Sequence, residues 1–369
     1  MEKLKPIEHK FKALFYGALK GVLESRAGRS SAPLNAAQMT RVIIFRPDRL
    51  GDMVITLPLA DGLKKYFPHL KISILASPKN LLLIKGDPRF EEIFVFTKKI
   101  WRAPGELWPI KRRKFDCIID TVFEDSVTTL YLTHYCAAGA PIIGMGKNKF
   151  SRYYDFTYDN SGGHIIDNTL KLLSAFGIDS TQVSGYAEPH LSQLVLDRAE
   201  AFFKSLAASG AYPLKVGINL SSGAPTRVWQ EEKWIELIKN VLAAVAESQI
   251  ILIAVPNERE LALRVKNLFK ERVEVVPDNL NIAEISAIIK YLDVLVTPDT
   301  SLVHIARAYR VPVVGLYSRF AKNFNLWHPY GMKEQAIKAI HIDNIFDISV
   351  EQVMNGFLFV VSGKQEVKR

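Results

Sequence analysis

Residues 41–52 read RVIIFRPDRLGD: a short apolar run, then a polar turn closed by glycine, then an aspartate that opens a helical pattern. The run VIIF at 42–45 predicts a buried β-strand, because its consecutive apolar residues leave no polar face for solvent. The spacing of the apolar residues within 52–67 predicts a helix. A strand that leads through a short loop into a helix is the first half of a βαβ unit.

The same alternation continues outward along the chain. The first half has further predicted strands at 71–77 and 117–120 and a helix at 126–138. Residues 177–192 show little periodicity and are interpreted as a connection between domains. Beyond them, strands are predicted at 215–220, 250–255, 273–276, 293–297 and 312–316, and helices at 231–247, 257–270, 282–291 and 301–309. We therefore predict an α/β protein with two doubly wound halves and ligands at the carboxyl ends of the strands.

Length and composition support this organisation. A chain of 369 residues exceeds what one hydrophobic core usually supports, so two domains are expected. Contents of 48% hydrophobic and 23% charged residues exclude a disordered or collagen-like chain. We expect a terminal segment at 1–40, an N-terminal domain at 41–185, a C-terminal domain at 186–345, and a final helix and tail at 346–369.

Other sequence features bear on compartment and partners. No apolar run approaches the roughly 18–20 residues of a membrane span, and no signal-peptide pattern is present. Cys117 and Cys136 provide neither a disulfide framework nor a metal-site spacing, so a reduced, cytoplasmic protein is expected. The net charge of +10 favours an anionic partner: phosphates, nucleic acid or an acidic membrane.

The first forty residues form a basic segment, with seven Lys/Arg and three Glu. Apolar residues between Phe11 and Leu23 recur at helical spacing, and residues 28–38 are typical of a flexible linker. Two hypotheses follow. The amphipathic helix docks on an acidic membrane surface, or it packs on its own domain.

The loop RPDRLGD at 46–52 is the first candidate for chemistry. Asp52 falls in the first turn of the predicted helix, where a carboxylate could act as a general base towards a hydroxyl. The alternative is that Asp52 only stabilises the helix dipole. Arg46 and Arg49 are candidates for binding an anionic partner. The loop lacks the GxGxxG pattern, so it does not predict a nicotinamide site.

Two further loops suit a phosphate ligand. Ser221, Ser222 and Gly223 follow a strand and could cradle a phosphate, with Arg227 as the charged clamp. The alternative is an ordinary strand-to-helix loop. In TPDTSLVHIA at 297–306, a capped helix N-terminus would face a diphosphate, and the histidine one turn along is either a phosphate donor or a structural residue.

The stretch KKIWRAPGELWPIKRRK at 98–114 is predicted to be a basic, aromatic loop. It suits an anionic partner at a membrane interface or nucleic acid phosphates. The remaining alternative is a solvated charged loop. Besides Lys114, Trp101 and Trp108, its candidate contact residues are Lys98, Lys99, Arg102, Lys111, Arg112 and Arg113.

Taken in order, these motifs resemble those of the ADP-heptose:lipopolysaccharide heptosyltransferases, glycosyltransferase family 9. The resemblance covers about Arg41 to Tyr330 and rests on RLGD after the first strand, on Arg227-x-Trp229 before a helix, and on DTSLVHIA at 299–306. It implies GT-B architecture, with two Rossmann-like domains facing each other across a cleft. The N-terminal domain would take the acceptor and the C-terminal domain the nucleotide-sugar, with inversion at the anomeric centre.

The resemblance also implies roles for particular residues. Asp52 corresponds to the family's base, and Arg227 to a basic residue that binds donor phosphate. Either Glu258 or Glu260 would contact the ribose. The elements that hold the diphosphate and stabilise the leaving charge would be Asp299, Thr300, Ser301 and His304. The family typically has glycine at position 301, and the serine Cβ would crowd the approach of backbone to phosphate.

The expected function is therefore transfer of a sugar, heptose from ADP-heptose, onto a lipopolysaccharide core or a related anionic glycolipid. No metal or other cofactor is expected, and no nucleic acid partner. The protein would work in the cytoplasm, at the inner face of the cytoplasmic membrane. Two alternatives remain open: another GT-B enzyme, a UDP- or GDP-sugar transferase or an epimerase, and a non-catalytic binding protein that has no need of Asp52.

Overall fold

The computed structural model describes residues 33–99, 102–123, 125–160, 162–209 and 212–367. The helix predicted before residue 33 and the side chain of Trp101 lie outside the described residues. The chain divides into two compact units, the first ending at Gly185 and the second beginning at Tyr186. Two short stretches of the first half, Leu82–Gly86 and Gly162–His164, group with the second unit.

The first unit contains a six-stranded parallel sheet in the order β3-β2-β1-β4-β5-β6. Its strands are β1 (Arg41–Phe45), β2 (Lys71–Ala76), β3 (Phe90–Val95), β4 (Cys117–Asp120), β5 (Ile142–Met145) and β6 (Phe156–Tyr158). Its helices are α1 (Leu50–Tyr66), α2 (Ala103–Arg113), α3 (Val127–Ala137) and α4 (Ile165–Leu170). The strand order reverses between β1 and β4. In sheets of this kind ligands bind beyond the carboxyl ends of the strands at such a reversal, so a ligand is expected after β1 and β4.

The second unit repeats this order. Its parallel sheet runs β12-β11-β10-β7-β8-β9 and reverses between β7 and β10. Its strands are β7 (Leu214–Asn219), β8 (Ser248–Ile253), β9 (Val273–Val275), β10 (Val294–Pro298), β11 (Val313–Tyr317) and β12 (Ala336–Lys338). Its helices are α5 (Gln193–Ser209), α6 (Glu231–Ala244), α7 (Arg259–Phe269), α8 (Ile282–Lys290), α9 (Ser301–Ala308), α10 (Ala321–Trp327) and α11 (Val350–Val367).

The burial of the central strands explains why the sequence predicts them. In β1, residues 42–45 are fully buried, as the continuous apolar run predicts for a strand covered on both faces. Helix α1 is buried along most of its length, and a Cβ at Gly62 would come within 2.8 Å of Leu173. The α/β fold with two parallel sheets is thereby confirmed, and α1 is fixed against its unit so that its first turn meets the end of β1.

One predicted loop is a helix. Residues 103–113 form α2, with a proline in the first turn and a left-handed Lys114 (φ 49°) at the end. Ala103, Leu107 and Ile110 are buried, and their spacing of four and three residues defines an apolar stripe. The many Lys and Arg residues around these three positions make the apolar stripe hard to recognise in the sequence. Among the described residues, no helix combines the length and apolarity needed to cross a bilayer.

Candidate active site

In the second unit, the loops that follow β7 and β10 are joined by Asn219. Its amide nitrogen donates to the Thr297 hydroxyl and to the Ser221 carbonyl, both at 2.9 Å. Because β7 and β10 are neighbouring strands at the point where the order reverses, this amide ties together the two loops of the crevice. The side chain of Asn219 is 1% exposed, so these bonds form in a site with little water.

The first turn of α9 offers an anion site beside these loops. Thr300 is its N-cap, and the Thr300 hydroxyl accepts from the Leu302 N–H at 3.3 Å. The remaining first-turn N–H groups and the positive end of the helix dipole suit a diphosphate. Ser301 is the first residue of the helix and is partly exposed. Its side chain therefore lies at the place where the family is expected to have glycine.

Arg227 supplies positive charge to the same place. One guanidinium nitrogen donates to the Asp299 carbonyl at 2.6 Å, and another lies 3.1 Å from the Asp299 carboxylate. About a third of the Arg227 side chain is exposed, so one edge of the fork stays accessible to a ligand. Trp229, two residues on, is buried against Trp234 and donates to the Ile348 carbonyl at 3.0 Å. The tryptophan therefore anchors the segment that carries the arginine.

The serine loop is held in a fixed conformation. The Ser221 hydroxyl accepts from the Val255 N–H at 2.7 Å, and the Ser222 hydroxyl donates to the Ala224 carbonyl at 2.9 Å. Gly223 has φ 67°, a left-handed conformation that glycine adopts without steric cost. The serine hydroxyls are thus used in shaping the loop, and so is the Ser221 N–H, which donates to the Asn219 amide oxygen at 3.1 Å. A phosphate would bind the other backbone N–H groups of the loop.

Glu258 and Glu260, the two predicted ribose contacts, lie in different environments. Glu258 closes a 3₁₀ turn that starts at Val255, the residue bonded to Ser221, and one of its carboxylate oxygens is buried with no hydrogen-bond partner in the described part of the chain. Glu260 is exposed in the first turn of α7. Of the two predicted ribose contacts, the geometry favours Glu258, because only its carboxylate is buried without a partner.

His304 is buried inside an aromatic cluster. Its ring lies 5.7 Å from Trp327 and 6.4 Å from His164, measured between centroids. Burial, with a smaller contribution from His328, lowers the pKa of His304 to about 4. Its Nδ1 atom is buried without a hydrogen-bond partner among the described residues. His304 is therefore neutral at pH 7, and it can stabilise charge only as a hydrogen-bond donor.

In the first unit, Asp52 lies in the first turn of α1, directly after the loop that leaves β1. It is only 6% exposed. Burial raises the pKa of Asp52 to about 7, with Asp48 adding to the rise while Arg46 and Arg49 oppose it. A carboxylate with a pKa near neutrality is suited to accept a proton at physiological pH. The structure thus gives the predicted base an environment suited to that role.

The expectation that Arg46 belongs to a basic surface is wrong. Its side chain is fully buried, because it donates inward from Nε to the Thr56 hydroxyl at 2.9 Å and pairs with Asp48 at 3.1 Å. Asn80 donates to the Arg46 carbonyl at 2.9 Å. Arg49, the N-cap residue of α1, is the exposed arginine of this loop.

One buried ion pair was missed by the sequence analysis. Asp120 ends β4 beside Phe45 of β1, and its carboxylate lies 2.9 Å from the Lys147 ammonium and accepts from the Tyr154 hydroxyl at 2.7 Å. Both charged side chains are fully buried. The signal was available, because Asp120 is an acidic residue at the carboxyl end of a predicted central strand, the edge where ligands bind.

The family model of glycosyltransferase family 9 (heptosyltransferase) matches residues 109–356, more than half of the 369-residue chain. The chain belongs to glycosyltransferase family 9. It is similar to the lipopolysaccharide core heptosyltransferase OpsX of Haemophilus influenzae, with 22% identity over 299 residues that make up 78% of this chain and 81% of OpsX. Both the predicted family and the predicted enzyme class, a glycosyltransferase, are confirmed.

Solved structures of the family share the fold. The glycosyl transferase family 9 structure from Veillonella parvula has a TM-score of 0.76 and 20% identity, covering 90% of this chain and all of that chain. The E. coli heptosyltransferase WaaC with ADP has a TM-score of 0.67 and 18% identity, covering 88% and 98%. These likenesses extend over both units of the family 9 chain.

The basic residues of this family 9 protein do not form one patch. Arg113 pairs with Glu92 and lines a cavity of about 250 Å³ with Arg41 and Lys71, at the amino ends of the strands. Asp52 instead follows the carboxyl end of β1. Arg113 and the candidate base therefore lie at opposite ends of the strands. Arg113 is predicted from the sequence as a contact residue for an anionic partner; such a contact would lie away from Asp52, and it stays a prediction.

The remaining basic residues are divided over two elements. Lys98 (φ 63°) and Lys99 precede α2, and Arg102 is its N-cap residue. Lys111 lies 4.7 Å above the Tyr135 ring, while Trp108 is 52% exposed on the same helix. Arg112 is exposed as well. Helix α2 therefore presents a mixed basic and aromatic surface, as the sequence predicts.

Proposed function

We propose that the protein is an inverting glycosyltransferase that transfers heptose from ADP-heptose to a lipopolysaccharide core or a related anionic glycolipid. The observation that carries this proposal is the pairing of Arg227 with Asp299 at the capped N-terminus of α9, within a family 9 chain. The names of its relatives, a lipopolysaccharide core heptosyltransferase and a heptosyltransferase solved with ADP, support the choice of donor and acceptor.

On the donor side, the nucleotide diphosphate would lie at the N-terminus of α9. Arg227 contributes a guanidinium whose charge is partly balanced by Asp299, the helix contributes first-turn N–H groups, and Glu258 accepts from the ribose hydroxyls. His304 donates one N–H while neutral. These groups stabilise the charge that develops on the leaving diphosphate, and they are in place before the reaction, so little reorganisation is needed.

On the acceptor side, Asp52 would act as the general base. The acceptor hydroxyl oxygen attacks the anomeric carbon and its proton passes to the Asp52 carboxylate, while the bond from that carbon to the diphosphate oxygen breaks. The electron pair leaves with ADP. Attack from the face opposite the leaving group inverts the configuration. Because the pKa of Asp52 is raised to about 7, the carboxylate is basic enough to assist without being fully protonated at neutral pH.

The acceptor is anionic, and the protein has a net charge of +10, which supports binding of a phosphorylated glycolipid. We propose that Arg49, Lys98, Lys99, Arg102 and Arg112 bind such an acceptor and that the enzyme makes a peripheral contact with the inner face of the cytoplasmic membrane. Cytoplasmic localisation is part of this proposal. Nucleic acid is not proposed as a partner.

A donor panel tests the proposal. Purified protein would be incubated with ADP-heptose, UDP-sugars and GDP-sugars, with and without a heptose-deficient lipopolysaccharide core, and release of each nucleoside diphosphate would be followed. The proposal predicts acceptor-dependent release of ADP. Release from a UDP- or GDP-sugar would replace the donor, and tight binding with no release under any condition would favour a non-catalytic binding protein.

A further inference from the structure

A buried ion pair lies at the carboxyl end of β4, where the strand order of the first unit reverses. The Asp120 carboxylate and the Lys147 ammonium are 2.9 Å apart, and both side chains are fully buried. The Tyr154 hydroxyl donates to the same carboxylate at 2.7 Å. Removing two charges from water costs free energy that their attraction does not reliably return, so a buried pair is weak evidence for stability. What the pair holds in place explains it better.

The sheet leaves room for this pair at Gly144. In the parallel register of β4 and β5, Gly144 lies opposite Asp120. A Cβ at Gly144 would come within 2.6 Å of the Tyr154 ring and 2.9 Å of the Lys147 side chain. A larger residue at this position would displace both side chains, so the glycine is what lets them reach the carboxylate.

The pair binds both backbone polar groups of Val122, in the loop after β4. The Val122 N–H donates to Asp120 Oδ1 at 3.0 Å, and the Val122 carbonyl accepts from the Lys147 ammonium at 2.7 Å. Just before α3, the Asp125 carboxylate accepts from the Lys149 N–H at 2.9 Å. The chain that leaves β4 is thus attached at two points to the segment that follows β5.

The same loop is bonded to the end of β1. The Thr121 N–H and hydroxyl both donate to the Phe45 carbonyl, at 3.3 and 3.0 Å. Phe45 is the last residue of β1, and the loop that begins after it leads to Asp52 in the first turn of α1. Ligands of doubly wound sheets bind in the crevice between the loops at such a reversal. The loop after β4 therefore forms the side of the crevice that adjoins the loop of the candidate base.

We propose that Asp120 and Lys147 are positioning residues for the acceptor: they hold residues 121–123 as the wall of the acceptor site beside the loop of Asp52. The inference deepens the proposed function and rests on the first unit as the one that takes the acceptor. Phe123 is partly exposed, so the held segment still presents surface to a ligand. A wall that is ordered before the acceptor arrives lowers the entropic cost of binding. Because both charged side chains are buried, they act through the loop and not on the reacting atoms.

Steady-state kinetics on a double variant separate this role from stability. Asp120→Leu/Lys147→Met replaces both charges by apolar side chains, a change that buried ion pairs often tolerate, and it releases the Val122 peptide groups. The KM for a heptose-deficient lipopolysaccharide core should rise about tenfold, while the KM for ADP-heptose and the affinity for ADP stay at the parent values. Asp120→Asn/Lys147→Met keeps an oxygen for the Val122 N–H and should recover part of the acceptor affinity.

Asp87→Leu/Arg89→Met is the matched control. Asp87 and Arg89 form another largely buried pair of the first unit, 2.6 Å apart, just before β3 and so at the amino ends of the strands. Loss of this pair should alter the melting temperature and neither KM. The inference is overturned by an unchanged KM for the core in a folded Asp120→Leu/Lys147→Met variant, and equally by the same rise in the control.

Hydrogen exchange on the parent decides the question if the double variant does not fold. The heptose-deficient core should slow backbone exchange at residues 121–123 about tenfold, and no slowing by the core overturns the inference. Transfer by the parent keeps the two claims apart. If the parent adds heptose to the core while exchange at 121–123 does not respond, only the role of the pair fails. If the core slows this exchange and no heptose is transferred, the loop binds the acceptor and the proposed reaction fails.

Discussion

The Arg227 guanidinium holds the Asp299 carbonyl at 2.6 Å and the Asp299 carboxylate at 3.1 Å, and so joins the loop after β7 to the cap of α9. The arginine is thereby oriented before any donor arrives. Orientation in advance lowers the entropic cost of binding a diphosphate, since a long side chain does not have to be ordered on binding.

Arg227→Ala should weaken binding of the nucleoside diphosphate by about ten- to a hundredfold, because a charge-assisted hydrogen bond contributes roughly 1.5–3 kcal/mol. Arg227→Lys should recover only part of this affinity, since lysine cannot form the two-pronged contact. Isothermal calorimetry with ADP measures both variants. Arg264→Ala, which removes an exposed arginine paired with Glu231 in the same unit, is the control and should bind like the parent. Unchanged affinity in Arg227→Ala would contradict the assignment.

Asp52→Asn should lower turnover at least a hundredfold, within the ~10²–10⁴ that general base catalysis supplies.

The same variant should be more stable than the parent at pH 8. The folded-state pKa of Asp52 is raised from 3.8 to about 7, so its favourable contribution exists at low pH and is lost as pH rises through about 7. The gain at pH 8 should be on the order of 2–4 kcal/mol and should vanish near pH 4.

Denaturant unfolding of the parent and Asp52→Asn at pH 8 and pH 4.5 measures this difference. Glu91→Gln removes an exposed carboxylate that pairs with Lys71 near the amino ends of the strands. It serves as the reference for the general effect of losing one carboxylate. A parent that is as stable as Asp52→Asn at pH 8 would show that burial does not penalise the charged carboxylate.

His304 should act as a neutral donor. His304→Ala should lower kcat about a hundredfold, as removal of one donor to a developing charge does, with a smaller effect on donor binding. His304→Gln keeps an N–H and should retain more activity than the alanine variant. Steady-state kinetics from pH 5 to 9 on all three proteins provide the comparison. Because the pKa of His304 is lowered to about 4, a loss of activity in the parent as an imidazolium deprotonates near pH 6.5 would count against this account.

Removal of residues 1–32 should leave a folded protein. Leu34 donates to the Ala175 carbonyl at 2.8 Å and Ala36 is buried, so the truncated chain keeps these contacts with the first unit. If the basic segment is a surface anchor, binding to anionic vesicles should fall and lose much of its salt dependence, since each basic residue near such a membrane contributes about 1 kcal/mol.

Vesicle sedimentation and thermal melts on the truncated protein decide between the two hypotheses for this segment. A soluble acceptor should still be glycosylated by the truncated protein at the parent rate. Unchanged vesicle binding together with a lowered melting temperature would show that the segment covers its own domain instead.

The central strands and the phosphate loops could be predicted from sequence because their signals are local. Strand β1 is a continuous apolar run, and Thr300 is a good N-cap directly before a helical pattern. Strands β3, β5, β6 and β12 were missed. Only β5 is buried throughout like β1, and it has just four residues, while β6 and β12 have three each. Strand β3 is longer, but most of it is only partly buried and its run is interrupted by two glutamates. Pairing with a neighbouring strand therefore determines these elements.

The electrostatics of the site could not be predicted from sequence. Arg46 looks like a surface arginine by type, and only the fold reveals that Thr56 and Asp48 receive its guanidinium in the interior. His304 looks like a cation for phosphate, yet its burial beside Trp327 keeps it neutral. Burial is a property of long-range packing, so the chemistry of these groups emerges only once the chain is folded.

The most direct test of the account measures transfer itself. Purified protein is given ADP-heptose and a heptose-deficient lipopolysaccharide core, and both ADP and the extended core are quantified by mass spectrometry, with Asp52→Asn in parallel. The account predicts one heptose added per ADP released by the parent, and product at least a hundredfold slower from the variant. Equal rates in the two proteins, or a core that stays unextended while the parent binds ADP-heptose tightly, would contradict it.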